Sequence, residues 1–183
     1  MADEDARLML AFKNGDRKAF DALFERYTPR LLGFLFRMVR DQGKAEELTQ
    51  DVFIRLYNAA ERYEPRARFS TYVFGIARNL ALNELARAHR RHEQPLEPVH
   101  EERKGDPAPD ADARLEALRT HDALERAIDE LPERQRAALL LRTQEGLGYE
   151  DIAQSLETSV SSVKSLLHRA RENLLSKLGD QVA

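Results

Sequence analysis

GYEDIAQSLETSVSSVKSLLHRARENLLSKL, residues 148–178, reads as two helices joined by a tight turn. On the first, Ile152, Ala153 and Leu156 fall on one side, the spacing of an amphipathic helix. Glu157-Thr158-Ser159 interrupts the apolar pattern, and Thr158 or Ser159 can cap the next helix through its hydroxyl. On the second helix Val160, Val163, Leu166, Leu167, Ala170 and Leu174 cluster within about 120° of a wheel turned ~100° per residue. The opposite face carries Ser161, Ser162, Ser165, His168 and Arg169, with Lys164 and Arg171 at its border. A helix-turn-helix presents its second helix in this way. A helical hairpin with a solvated face has the same pattern, so the rest of the chain decides.

The chain of 183 residues is 33% charged and 42% hydrophobic, a balance that fits a soluble, helix-rich protein. No apolar run approaches the ~20 residues that span a bilayer, and MADEDAR is not a signal peptide, so a cytoplasmic protein without membrane insertion is expected. The lack of cysteine excludes a disulfide framework and a cysteine-ligated zinc. The net charge of −3 divides unevenly along the chain. Residues 1–92 hold 17 Lys/Arg against 13 Asp/Glu, residues 93–133 hold 5 against 13, and residues 134–183 hold 7 against 6. Such a chain should bind free DNA weakly, because nonspecific affinity comes mostly from phosphate neutralisation.

From the start, Gly15-Asp16 stops a first helix, Asp16 caps a second, and Pro29 is expected to begin a third rich in core residues from Leu31 to Val39. The next helix buries Ala45, Leu48, Val52 and Leu56, and Pro65 closes it. Its other side carries Glu47, Gln50, Asp51, Ile54 and Asn58, an apolar spot with a polar rim, as in a modest protein interface. YEPRARF is a short basic loop, and FSTYVFGIARNLALNELARAHRR is a helix aromatic at its start and cationic at its end. Aromatic rings beside guanidinium and amide groups suit unstacked bases and their phosphates. Phe74 and Ile76 read as core. Residues 93–113, with four of the seven prolines, read as a flexible acidic linker. Leu115, Leu118, Leu124, Ile128 and Leu131 then mark another helix, broken at Pro132. The fold class is therefore all-α: two small helical domains, residues 1–92 and 114–183, joined by that linker, the second containing the helix-turn-helix.

No glycine-rich phosphate loop, nucleophile elbow or HExxH site is present. His89 and His92 lie a turn apart among arginines, which disfavour a bound cation. No cofactor, metal or catalytic residue is expected.

AEELTQDVFIRLYNAA followed by FSTYVFGIARNLALNELAR resembles domain 2 of bacterial sigma factors, and LPERQRAALLLRTQEGLGYEDIAQSLETSVSSVKSLLHRAREN resembles their domain 4. Both blocks in this order, with little else, resemble the extracytoplasmic-function (ECF) subgroup, the minimal two-domain type. The resemblance implies a transcription initiation factor whose partners are core RNA polymerase (β′ clamp helices and β flap), promoter DNA and an anti-sigma factor able to hold it at the inner membrane. Glu47, Gln50, Asp51 and Ile54 match the surface that docks on the clamp helices. The stretch Arg66–Arg91 matches the element that reads the −10 region and captures an unpaired base: Arg66, Arg68, Phe69, Ser70, Tyr72 and Asn79 for specificity and stacking, Arg78, Asn83 and Arg87 on the backbone. In the −35 major groove, Ser161, Ser162, Ser165, His168 and Arg169 face the bases and Lys164 and Arg171 the phosphates. Tyr72 stands where many members have tryptophan, and Leu166 where arginine is frequent. The acidic linker would mimic RNA in a polymerase channel and discourage DNA binding by the free chain. The alternative is a stand-alone helix-turn-helix regulator with an N-terminal sensor or dimerisation domain, which does not need the FSTYVFGIARN block.

Overall fold

The computed structural model describes residues 3–92 and 122–182, and every regular element among them is helical. In chain order these are α1 (Glu4–Lys13), α2 (Arg17–Val39), α3 (Gln42–Ala59), a 3-10 turn (Ala60–Arg62), α4 (Phe69–His92), α5 (122–129), α6 (Glu133–Thr143), α7 (Tyr149–Ser155) and α8 (Val160–Val182). The linker assigned to 93–113 and the expected core positions Leu115 and Leu118 lie outside the described residues.

Local chemistry sets most boundaries. Asp16 and Asp41 cap α2 and α3, accepting from Lys18 N at 3.0 Å and Lys44 N at 2.7 Å. Gly15, at φ +100°, turns the chain between α1 and α2 in a conformation a side chain resists. Pro29 does not start a helix. It lies inside a continuous α2, correcting the expected break. A proline there costs about 3 kcal/mol. Leu23, Tyr27, Leu31, Phe34, Leu35 and Met38 bury one unbroken stripe on both sides of it, each worth about 1.5–3 kcal/mol, so packing wins. The helix before Pro65 likewise ends earlier than expected, at Ala59, and tightens into the 3-10 turn.

The N-terminus of α4 is capped from a distance. Arg68 stands in the capping position, its carbonyl accepting from Tyr72 N at 3.2 Å, but a guanidinium cannot accept a hydrogen bond and is unfavourable at the positive end of a helix. Asp3 supplies the missing acceptor: Oδ2 takes Phe69 N–H at 3.0 Å while Oδ1 takes Ala6 N–H at 2.6 Å, so one carboxylate caps α1 and α4.

The buried stripe of α3 is as expected, and Phe74, Val73, Ala77 and Ala81 line the inner side of α4. The apolar core does not stop at the boundary between the two helical groups. It runs from Met9, Leu23 and Phe34 through Phe74 and Ala77 to Ile152, Leu156 and Val163. Ser159 caps α8, its hydroxyl accepting from Ser162 N at 3.1 Å.

Asp3→Ser keeps a local cap for α1 but cannot reach Phe69. Urea unfolding should show a loss of about 1 kcal/mol, with faster amide exchange at residues 69–72, and Asp3→Ala should cost about twice as much. A wild-type midpoint for Asp3→Ser would show that the distant cap contributes nothing.

Candidate nucleic-acid interface

The loop from Tyr63 to Arg68 and the first half of α4 border a cavity of about 490 Å³. Its walls include Tyr63, Arg66, Tyr72, Ile76 and Asn79 from one side and Gln154, Ser155 and Glu157 from the other. Tyr63 and Tyr72 pack with ring centroids 5.5 Å apart. Burial pushes the Tyr63 phenol up to about 12, and its hydroxyl has no hydrogen-bond partner among the described residues. Arg66 is exposed and pairs with Glu64 at 2.6 Å. Further along α4, Asn83 and Arg87 face solvent.

The far wall is the helix-turn-helix, and it grips α4. Arg78 is 8% exposed and donates twice to the Ser155 carbonyl, from Nε at 3.1 Å and Nη2 at 2.6 Å. Ser155 Oγ donates to Thr71 O at 2.9 Å, and Thr71 Oγ1 donates to Asp151 Oδ1 at 2.8 Å. Glu157 Oε1 accepts from Asn79 Nδ2 at 3.2 Å and lies 3.4 Å from Arg78 Nη2. Burial lowers the Arg78 guanidinium from its ordinary value, and Glu157 opposes the shift. More ion pairs tie the same two helical groups together: Arg30 to Glu145 at 2.5 Å, Arg37 to Glu125 at 3.1 Å, and Arg40 to Glu125 and Asp129. In these pairs the cation belongs to the first group and the carboxylate to the second.

On α8, Ser161, Lys164, Ser165, His168, Arg169 and Arg171 are exposed and Ser162 is half-buried. Ser165 Oγ donates back to Ser161 O at 3.1 Å, and His168 faces Glu172 at 3.1 Å. A shallow cavity of about 300 Å³ is lined by Ser161, Ser162, Ser165, Arg169, Thr158, Leu166 and Arg134. Leu166 is half-buried against the core, on the apolar side the helical wheel gave it.

On α3, Glu47, Gln50 and Ile54 are exposed and Asp51 is half-buried. Ile54 is 56% exposed and does not stand alone: Tyr57 on the same helix and Phe24 on α2 are 55% and 45% exposed.

Residues 23–91 match the family model described as Sigma-70 region 2, and residues 121–174 match Sigma-70, region 4. The RNA polymerase sigma-H factor of Pseudomonas aeruginosa is 35% identical over 93% of this chain and 91% of its own length. The ECF RNA polymerase sigma-E factor of Haemophilus influenzae is 34% identical over 95% of each chain. This chain belongs to the sigma-70 family, in its ECF group. Among solved structures, CnrH in complex with the cytosolic domain of CnrY matches with a TM-score of 0.72 at 22% identity, over 97% of this chain and 99% of that one. RpoE in complex with the anti-sigma factor NepR from Bartonella quintana matches with a TM-score of 0.70 at 24% identity, over 88% and 98%. At those identities the likeness is one of fold. Sigma factors are transcription factors without a reaction of their own, and the chain is not an enzyme. Among its described residues no His/Asp/Glu cluster could hold a metal, and no helix is long and apolar enough to cross a membrane.

Within this ECF sigma factor, the structure brings Arg66, Tyr72 and Asn79 to one cavity, with Ser70 half-buried and Arg68 exposed nearby. Besides Arg78, the exception among the expected DNA contacts is Phe69. Its ring is fully buried, 5.2 Å from Tyr27, and only its backbone belongs to the loop. Arg78, expected to hold DNA backbone, is committed here to Ser155. Sequence reading missed Tyr63 and Arg134, which reach the two cavities from neighbouring segments. Arg134 follows Pro132 at the start of α6, outside the helix-turn-helix, so no spacing signal marks it.

Arg78→Met removes both donors from the buried Ser155 carbonyl. Stability should fall by about 1–3 kcal/mol, read from denaturant unfolding, with Arg78→Lys intermediate because one ammonium cannot reproduce the fork.

Proposed function

We propose that this ECF sigma factor binds core RNA polymerase, brings it to promoters and helps open them, with residues 1–92 as domain 2, 93–113 as the linker and 114–183 as domain 4. The observation that carries the reading is the ordered pair of family blocks, each with an exposed surface of the right chemistry. The rim of Glu47, Gln50 and Asp51 around Ile54 suits the β′ clamp helices, and Phe24 and Tyr57 extend the apolar centre. A stand-alone regulator would have no need of this surface.

In this reading the loop Arg66–Ser70 and the face of Tyr72 and Asn79 take an unpaired base of the −10 element. The cavity of about 490 Å³ offers the Tyr63 and Tyr72 rings and the Asn79 amide, and Asn83 and Arg87 follow the strand, joined by Arg78 once it is released from Ser155. Holding the unpaired base more tightly than the paired one shifts the duplex toward the open state. On α8, Ser161, Ser162, Ser165, His168 and Arg169 read the −35 groove, while Lys164 and Arg171 hold phosphates, with the domain also meeting the β flap. An anti-sigma factor is the expected regulator, since two fold relatives were solved with partners, one of them named an anti-sigma factor.

Reconstitution with core polymerase tests the whole reading: promoter-specific transcripts support it, and no complex at low salt overturns it. Ile54→Arg should weaken core binding about tenfold or more, the worth of one buried aliphatic side chain, with helix content unchanged by circular dichroism. Lys164→Ala should weaken all −35 sequences alike and lower the salt slope of holoenzyme binding by about 1. Arg169→Ala should instead change which sequences bind.

A further inference from the structure

Glu157 has a backbone that its residue type resists. It sits at φ +49° in the turn between α7 and α8, a conformation glycine takes freely and a side chain takes at a cost. The turn itself is ordinary, with Glu157 N donating to Gln154 O at 3.2 Å and Thr158 N to Ala153 O at 2.9 Å. Nothing in its hydrogen bonding requires an acid. What the acid adds is a contact across the domain boundary: its carboxylate meets the Asn79 amide at 3.2 Å and the Arg78 guanidinium at 3.4 Å. Strain held at a residue that touches a binding surface points to a role at that surface.

A carboxylate and a phosphodiester make the same demand, two anionic oxygens seeking N–H donors. The amide and guanidinium of α4 cannot serve both at once. The neighbouring contacts, Arg78 to the Ser155 carbonyl and Thr71 to Asp151, press the turn onto the same face. We propose that Glu157 is an internal stand-in for the promoter strand: in the free chain the helix-turn-helix turn occupies the Arg78–Asn79 surface, and nucleic acid gains that surface only when the turn is displaced. This rests on the reading of α4 as the −10 element. It concerns described residues alone and is independent of any competition by the acidic linker.

Glu157→Gly removes the carboxylate and relieves the positive φ, so the variant keeps its fold. The free full-length chain is titrated at low salt with a labelled single-stranded oligonucleotide of randomised sequence. Glu157→Gly should bind about threefold tighter than wild type, the worth of one exposed charge pair. Glu150→Gln removes a charge from the adjoining helix α7, on an exposed residue with no bond to α4, and should change little. The chain has no cysteine, so dyes on Ala86→Cys and Ser176→Cys report the distance between α4 and α8, and transfer should fall in Glu157→Gly. Equal tightening by Glu150→Gln, or unchanged affinity and transfer in Glu157→Gly, overturns the proposal. Asn79→Ala in holoenzyme reports separately on the −10 reading. Normal promoter opening by that variant overturns the assignment of α4, whereas a defect there beside an unaltered Glu157→Gly overturns the stand-in alone.

Discussion

The bond between the Arg78 guanidinium and the Ser155 carbonyl fixes how the two helical groups meet. The turn after α7 satisfies the carbonyls of Ile152, Ala153 and Gln154, and Ser155 presents the next one at the negative end of the helix. A cation placed there is favourable, but taking it out of water is expensive unless its N–H groups find partners. Two of them do, on one oxygen, and the Ser155 hydroxyl returns a bond to Thr71 O. Gly75, one turn before Arg78 on α4, faces this approach: a Cβ there would meet Ser155 Cα at 3.8 Å, ordinary van der Waals contact, so alanine would fit and only a side chain extending beyond Cβ would press on α7. With α7 seated, Ile152 and Leu156 join the core that began at α1 and α2, and the direction of α8 follows from the turn.

The same economy recurs at other helix ends. Asp3 caps two helices with two oxygens, and Arg40 both ends α2 in a left-handed conformation and ties that end to Glu125 and Asp129. In each case a group required locally for a helix boundary also carries a long-range contact. The loop Tyr63–Arg68 benefits most. Lys13 Nζ donates to Tyr63 O at 3.0 Å at one end, and Asp3 holds Phe69 N–H at the other, so the segment assigned to base reading is pinned at both sides.

Periodicity made most of the helices legible, because a stripe such as Ala45, Leu48, Val52 and Leu56 is buried whatever the tertiary arrangement. It failed at Pro29, where a local penalty lost to burial on both sides, and at Phe69, whose aromatic ring satisfied a nucleic-acid pattern but fills the core beneath Tyr27. The charge division of the sequence pointed to a basic first part and an acidic middle, and part of that division is spent on ion pairs between the groups. Which arginine meets which acid was not legible. Arg30 and Glu145 are 115 residues apart and become neighbours only when α2 and α6 pack. The exposed patch of Phe24, Ile54 and Tyr57 was half visible for the same reason: Ile54 stood out on its own helix, and Phe24 belongs to another.

In the proposed reading, the clasp between α4 and the end of α7 makes the two surfaces assigned to promoter DNA thermodynamically dependent on each other. Coupling between sites is reciprocal. Whatever factor the closed clasp subtracts from the affinity of α4 for a strand, a strand bound on α4 adds to the freedom of the C-terminal group. Polymerase, by holding that group elsewhere, would raise the affinity of α4 without touching it. A weak reader at each end then becomes a selective reader of the pair, because occupation of one element lowers the cost of reaching for the other.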